Sequence, residues 1–146
     1  MMNPQARLLA QSGVGLLAVS LVNGLIVHLL PLPLLGAHLI GLLGSLFLFA
    51  FASLWPHLDY TSLQSKIAAV SILYGFVIGW LVNFVAGFTE TFGIFPISVS
   101  SSHKESSGDL LISIGLLSVA LALFMACVML FLGLRKRAGA VPPHQA

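Results

Sequence analysis

Four apolar runs, Leu8 to Leu30, Leu34 to Trp55, Ile67 to Phe88 and Leu110 to Leu134, take up most of this 146-residue chain. Each is long enough to cross a bilayer, which takes about 20 apolar residues in a helix. In hydrocarbon every backbone N–H and C=O must find its partner inside the protein, so such runs fold as helices. The sequence therefore predicts an all-α integral membrane four-helix bundle: a single transmembrane domain over 1–137 and a flexible C-terminal tail over 138–146. Composition agrees, with 58% hydrophobic and 7% charged residues, where soluble globular domains carry roughly 25% charged. The apolar run after Arg7 exceeds the roughly 7–15 residues of a signal-peptide core, so it reads as the first span.

Orientation follows from the basic residues, because Lys and Arg flanking spans are retained on the cytoplasmic side. Arg7, Lys66, Arg135, Lys136 and Arg137 fall on one face and Lys104 on the other. Both termini are expected in the cytoplasm. The pI near 9.0 comes mostly from the Arg135 to Arg137 stop and does not point to a nucleic-acid partner. Cys127 is the single cysteine, so no intrachain disulfide can form.

The connections are unequal. Pro31 to Pro33 predicts a tight hairpin between the first two spans, since proline removes a donor and clashes with the preceding helical turn. Pro56 to Lys66 reads as a short cytoplasmic turn. Thr89 to Asp109 is longer than the roughly 12–15 residues beyond which loops are uncommon unless functional or disordered. Its first half, Phe92 to Ile97, is expected to be a lid or interfacial segment, and its Ser-rich second half a flexible loop.

Small residues recur every four positions, on one helix face: Ser20 and Gly24; Ala37, Gly41 and Ser45; Gly75, Gly79 and Gly87; Ser118, Ala122 and Ala126. In membranes such stripes mark close helix contacts. Three of them continue into a polar group: His28 after Gly24, His38 before Gly41, and Asn83 between Gly79 and Gly87.

Counting depth at about 1.5 Å per residue brings these groups to one level. Asn23 and His28 lie in the outer half of the first span, His38 in the first outer turns of the second, and Trp80 and Asn83 in the outer half of the third, with Glu90 at its exit. Polar groups at such depth are costly and face a bundle interior, a cavity or each other. A pocket around His38 is therefore predicted on the extracytoplasmic side. His57, His103 and His144 read as solvated residues. Neutral imidazole is the commonest metal ligand, and a flat macrocycle has room beside Gly41, Gly44 and Ser45.

No span core holds Asp, Glu, Lys or Arg, so the buried carboxylate of a proton-coupled exporter is missing. There is likewise no GxSxG, HExxH, CxxC or phosphate-binding glycine loop. An enzyme built on this chain would lean on a metal or a prosthetic group.

The stretches "GAHLIGLLGSLFLFAFASLWPHL", "ILYGFVIGWLVNFVAG", "FGIFPIS" and "GLRKR" resemble the hydroxylaminobenzene mutase family, small bacterial membrane isomerases that convert hydroxylaminobenzene to 2-aminophenol. That family in turn resembles styrene oxide isomerase, a trimer in which ferric haem b, held by a histidine early in the second helix, acts as a Lewis acid. The resemblance implies a mutase of nitroarene degradation in the bacterial inner membrane, with haem b as cofactor, His38 as its iron ligand, Gly41 and Ser45 bordering it, and a homo-oligomer, a trimer. Asn83 and Tyr74 would orient the departing oxygen; Trp80, Phe84 and Phe92 would bind the aromatic ring. Relatives carry an acidic residue two after the histidine and Asn six after it, where this chain has Ile40 and Gly44. Two other readings stay open. His28 and His38 together would make a bis-His haem electron carrier or cytochrome anchor, and a haem-free packing or transport protein would need neither.

Overall fold

A computed structural model describes residues 3–26, 33–89 and 107–138. His28, Glu90, Phe92, His103 and His144, the Pro31 turn, the lid segment and the tail from 139 onward lie outside the described residues.

The chain folds as α1 (Pro4–Ile26), α2 (Pro33–Leu54), α3 (Ser62–Leu73), α4 (Gly79–Thr89) and α5 (Ser107–Ala138). A 3₁₀ turn, Trp55–His57, ends the second rod, and a π-helical turn, Tyr74–Ile78, joins α3 and α4 into one. The four rods are each long and apolar enough to span a bilayer. The described residues contain no strand.

The helices begin where the local chemistry tells them to. Pro4 opens α1 behind Asn3, whose Oδ1 accepts the Gln5 N–H at 3.0 Å, so a capping side chain precedes a proline at the first helical position. Thr61 and Gln64 form a reciprocal capping box: the Gln64 N–H donates to Thr61 Oγ1 at 3.3 Å and the Thr61 N–H to Gln64 Oε1 at 3.2 Å. That box starts the third rod at Ser62, so Lys66, expected in a turn, lies on a helix. Likewise α1 begins at Pro4 and not Leu8, because these first turns are polar and satisfied by caps.

In sequence order α1 lies along α2, α2 against α4, and α5 against α3 and α4. Glycines set the spacing. A Cβ on Gly13 would stand 3.3 Å from Leu48 Cβ, and one on Gly79 3.1 Å from Val119; Gly75 lies against Leu123, with Cγ at 2.7 Å from its Cβ position. The small-residue stripes are thus helix contacts, as close-packing in lipid requires. The apolar core, including Leu9, Leu48, Trp55, Ala68 and Ile72, fills the half of the bundle next to the Trp55 turn. Of the buried polar residues, Ser20, Asn23 and Ser45 lie on α1 and α2 and Ser65 on α3, all outside that cluster. Leucines and phenylalanines cover the outside, most fully on α5, where Leu111 is 71% and Phe124 69% exposed. An outer surface of this kind is matched to lipid.

Tyr60, between the second and third spans, clasps the far end of α5. Its ring meets Trp55 edge-on at 5.7 Å and lies against Gly133, whose carbonyl accepts the Asp59 N–H at 3.4 Å. The Tyr60 hydroxyl is buried without a protein partner, and burial raises its pKa above the usual phenol value. The neutral form is the one the fold favours, so this contribution is full below the unfolded pKa and is lost as pH climbs through the folded one. Tyr60→Phe keeps the ring and removes the unpartnered hydroxyl. Its stability in detergent at neutral pH is expected to fall within about 1 kcal/mol of wild type, or above it. In strong alkali the variant should melt later than wild type.

Candidate functional site

His38 stands in the first turns of α2, half-buried, with its ring laid across Gly24 of α1. A Cβ on Gly24 would collide with Cε1 and come 2.8 Å from Nδ1, closer than real Cβ atoms approach, with Nε2 3.0 Å away. Nδ1 lies 2.6 Å from the carbonyl oxygen of Ser20. A carbonyl only accepts, so Nδ1 carries the proton and donates it. In the neutral imidazole this leaves the lone pair on Nε2.

Next to this contact three helices meet at a glycine. The Ser20 side chain is fully buried, and its Oγ presses on Gly41 of α2; Trp80 Cδ1 lies 2.7 Å from where a Gly41 Cβ would stand. Ser20 Oγ and Trp80 Nε1 are both buried without a protein hydrogen-bond partner. Trp80 stacks on Phe84 one turn along α4, with centroids 5.1 Å apart and planes 22° from parallel. Asn23, 4% exposed, completes the buried polar face of α1. Among the described residues, α1 meets this layer through Ser20, which lies against Gly41, and Gly24, which lies against His38.

The other expected site residues are placed differently. Of Gly41 and Ser45, expected to border a flat cofactor, Gly41 is covered by Ser20 and Trp80, and the fully buried Ser45 donates its hydroxyl to the Leu42 carbonyl of its own helix at 2.7 Å. The Asn83 amide donates to the Gly79 carbonyl of its own helix at 2.8 Å. The Ser118 hydroxyl donates to the Gly115 carbonyl at 2.7 Å, so the Tyr74 hydroxyl, 2.9 Å away, donates to Ser118 and is turned toward α5. Asn83 is thus bonded to its own helix, with its amide oxygen not used in that bond, and Tyr74 is bonded to α5.

Among the described residues no three His, Cys, Asp or Glu side chains converge. A bare metal ion asks for three or four protein ligands. A porphyrin brings four nitrogens of its own and asks the protein for one or two. A lone imidazole whose Nδ1–H is fixed by a carbonyl, with Nε2 left as donor atom, fits the second demand. A backbone carbonyl in that position is the usual partner of a ligating histidine.

Residues 5–135 match the family model described as styrene oxide isomerase. Hydroxylaminobenzene mutase HabB of Ectopseudomonas oleovorans is 31% identical over 135 residues, which cover 90% of this chain and 82% of the mutase. No solved structure matches the chain. The family match runs through all four spans and takes in Ser20, Gly24, His38, Gly41 and Trp80. The chain is therefore a multi-pass membrane isomerase and belongs to the styrene oxide isomerase family.

Proposed function

We propose that this isomerase rearranges an arylhydroxylamine to the ortho-aminophenol, hydroxylaminobenzene to 2-aminophenol, in the bacterial cytoplasmic membrane with both termini inside. The observation that carries this reading is the His38 imidazole, its proton committed to the Ser20 carbonyl and its Nε2 lone pair left for a ligand, in a chain similar to a hydroxylaminobenzene mutase.

The reaction has no net redox change. The N–O bond breaks with its electron pair on oxygen, a C–O bond forms at the ortho carbon, and the proton of that carbon is passed to the nitrogen, which restores aromaticity and completes the amine. His38 is the residue that would hold haem b, and the chemistry the group would supply when bound is that of a Lewis acid. The remaining work belongs to the chain. Trp80 and Phe84, already stacked, offer a flat apolar platform for the substrate ring and keep bulk water away from the cationic ring, which would otherwise take up water at the para carbon. Asn83 and Tyr74 would orient the departing oxygen, Asn83 with the amide atoms that its bond to Gly79 leaves and Tyr74 from its place beside Ser118. Assembly as a homo-oligomer, a trimer by resemblance, brings exposed apolar faces such as Leu39 and Leu43 of α2 against a neighbour. Apolar arylhydroxylamines partition into lipid, which gives this chemistry a reason to be in the bilayer.

The test is an anaerobic incubation of membranes containing the protein with hydroxylaminobenzene and no added cofactor, followed by chromatography. 2-Aminophenol is expected from these membranes and not from membranes lacking the protein. If the ortho product is absent from both, or 4-aminophenol dominates in both, the proposal is wrong.

A further inference from the structure

We infer that Gly24 is a positioning residue for His38: its missing side chain opens the Ser20 carbonyl to the imidazole and so fixes which nitrogen of His38 is protonated. In a helix the carbonyl of residue 20 points along the axis toward residue 24, whose N–H it accepts. The side chain of residue 24 stands beside that carbonyl. With glycine there, the oxygen keeps a lone pair open to the side, and the His38 ring enters the gap, resting on Gly24 with Nδ1 2.6 Å from the oxygen. Any Cβ at position 24 occupies the space of the ring itself, since Cε1 and Nδ1 fall within contact that real Cβ atoms do not tolerate and Nε2 stands at its edge, 3.0 Å away. The ring must then turn away, and the bond to Ser20 is lost.

The same helix supplies the control. Gly15 also lies in α1, and a Cβ there would meet nothing within 4 Å. Gly15→Ala and Gly24→Ala make one chemical change at two places, and both raise helix propensity by about 1 kcal/mol. Only Gly24→Ala touches the histidine.

The consequence for a cofactor rests on the proposal that His38 holds haem; the tautomer does not. The full chain is labelled with ¹⁵N-histidine in detergent micelles before haem is added. His38 is assigned among the five histidines by the signal missing in His38→Gln, and haem is then titrated into each protein and followed by absorption. Wild type and Gly15→Ala are expected to show His38 protonated at Nδ1 and to take up haem alike. Gly24→Ala is expected to lose the fixed tautomer and to bind haem roughly 10- to 100-fold more weakly, the usual cost of removing a partner behind a ligand. Protonation of wild-type His38 at Nε2 overturns the inference, as does a Gly24→Ala protein with the wild-type tautomer. If Gly24→Ala does not fold, the wild-type tautomer alone decides. If the tautomer changes as expected while no variant binds haem, the positioning role stands and the haem assignment falls.

Discussion

His38→Ala is expected to lower 2-aminophenol formation to the level of membranes that lack the protein, while His57→Ala stays at the wild-type rate. Among the described residues His38 is the imidazole placed beside Ser20 and Gly24, whereas His57 is exposed at the opposite end of the second span. Whether the imidazole ligates iron or moves a proton, its removal takes away the reacting group, and a positioned acid or base alone is worth about 10²–10⁴-fold. Stability should change little, because a half-buried ring leaves a gap that lipid and neighbouring side chains can close. The measurement is the ortho-product rate per unit of protein in the membrane, with helix content checked by circular dichroism. A His38→Ala protein that keeps more than about a tenth of the wild-type rate would remove His38 from the chemistry altogether, given the range that such groups contribute.

Gly41→Leu is expected to part α1, α2 and α4. The glycine is the point at which the Ser20 side chain and the Trp80 indole both reach the backbone of α2, so even a methyl group collides with Ser20 Oγ and stands 2.7 Å from Trp80 Cδ1. Ser20 is short and fully buried, with no long arm to swing aside, and the indole is held by its stack on Phe84. Overpacking of this kind costs typically about 1–3 kcal/mol and occasionally more, and two rigid neighbours put this site at the upper end. Gly36→Leu on the same helix, where a Cβ meets nothing within 4 Å, is the comparison. In detergent Gly41→Leu should melt well below it, and Trp80 emission should move to the red as the indole leaves its buried place. Equal melting of the two would mean that the helices do not meet as closely as described.

Hydropathy was sufficient for the rods, because hydrocarbon leaves the backbone few alternatives to a helix. Their ends were harder to read, since Asn3, Thr61 and Gln64 are polar residues that start helices by capping, and an apolar count stops before reaching them. The site shows the same division. Counting residues along a helix gives height, and the spans it aligned do touch where Gly24 meets His38 and Gly41 meets Trp80. It gives no rotation about the axis, which decides what each side chain meets. That Tyr74 bonds Ser118 and Asn83 bonds Gly79 was not visible for that reason. Gly24 carries no polar atom of its own to announce that it seats an imidazole. Its spacing from Ser20 was visible, but the partner on the neighbouring helix was not.

The π turn at Tyr74–Ile78 gives the third rod one residue more than an α-helix of the same height holds. Insertions and deletions in a membrane helix are ordinarily ruinous, because each one swings every later side chain by about 100°. At this turn the surplus residue can be dropped and the turn closed to the α form, with Gly75 still facing Leu123 and Trp80 still facing Gly41. A lineage of such bundles can therefore change the length of this span here without dismantling either face, and the turn is where an evolutionary gap between relatives would be tolerated.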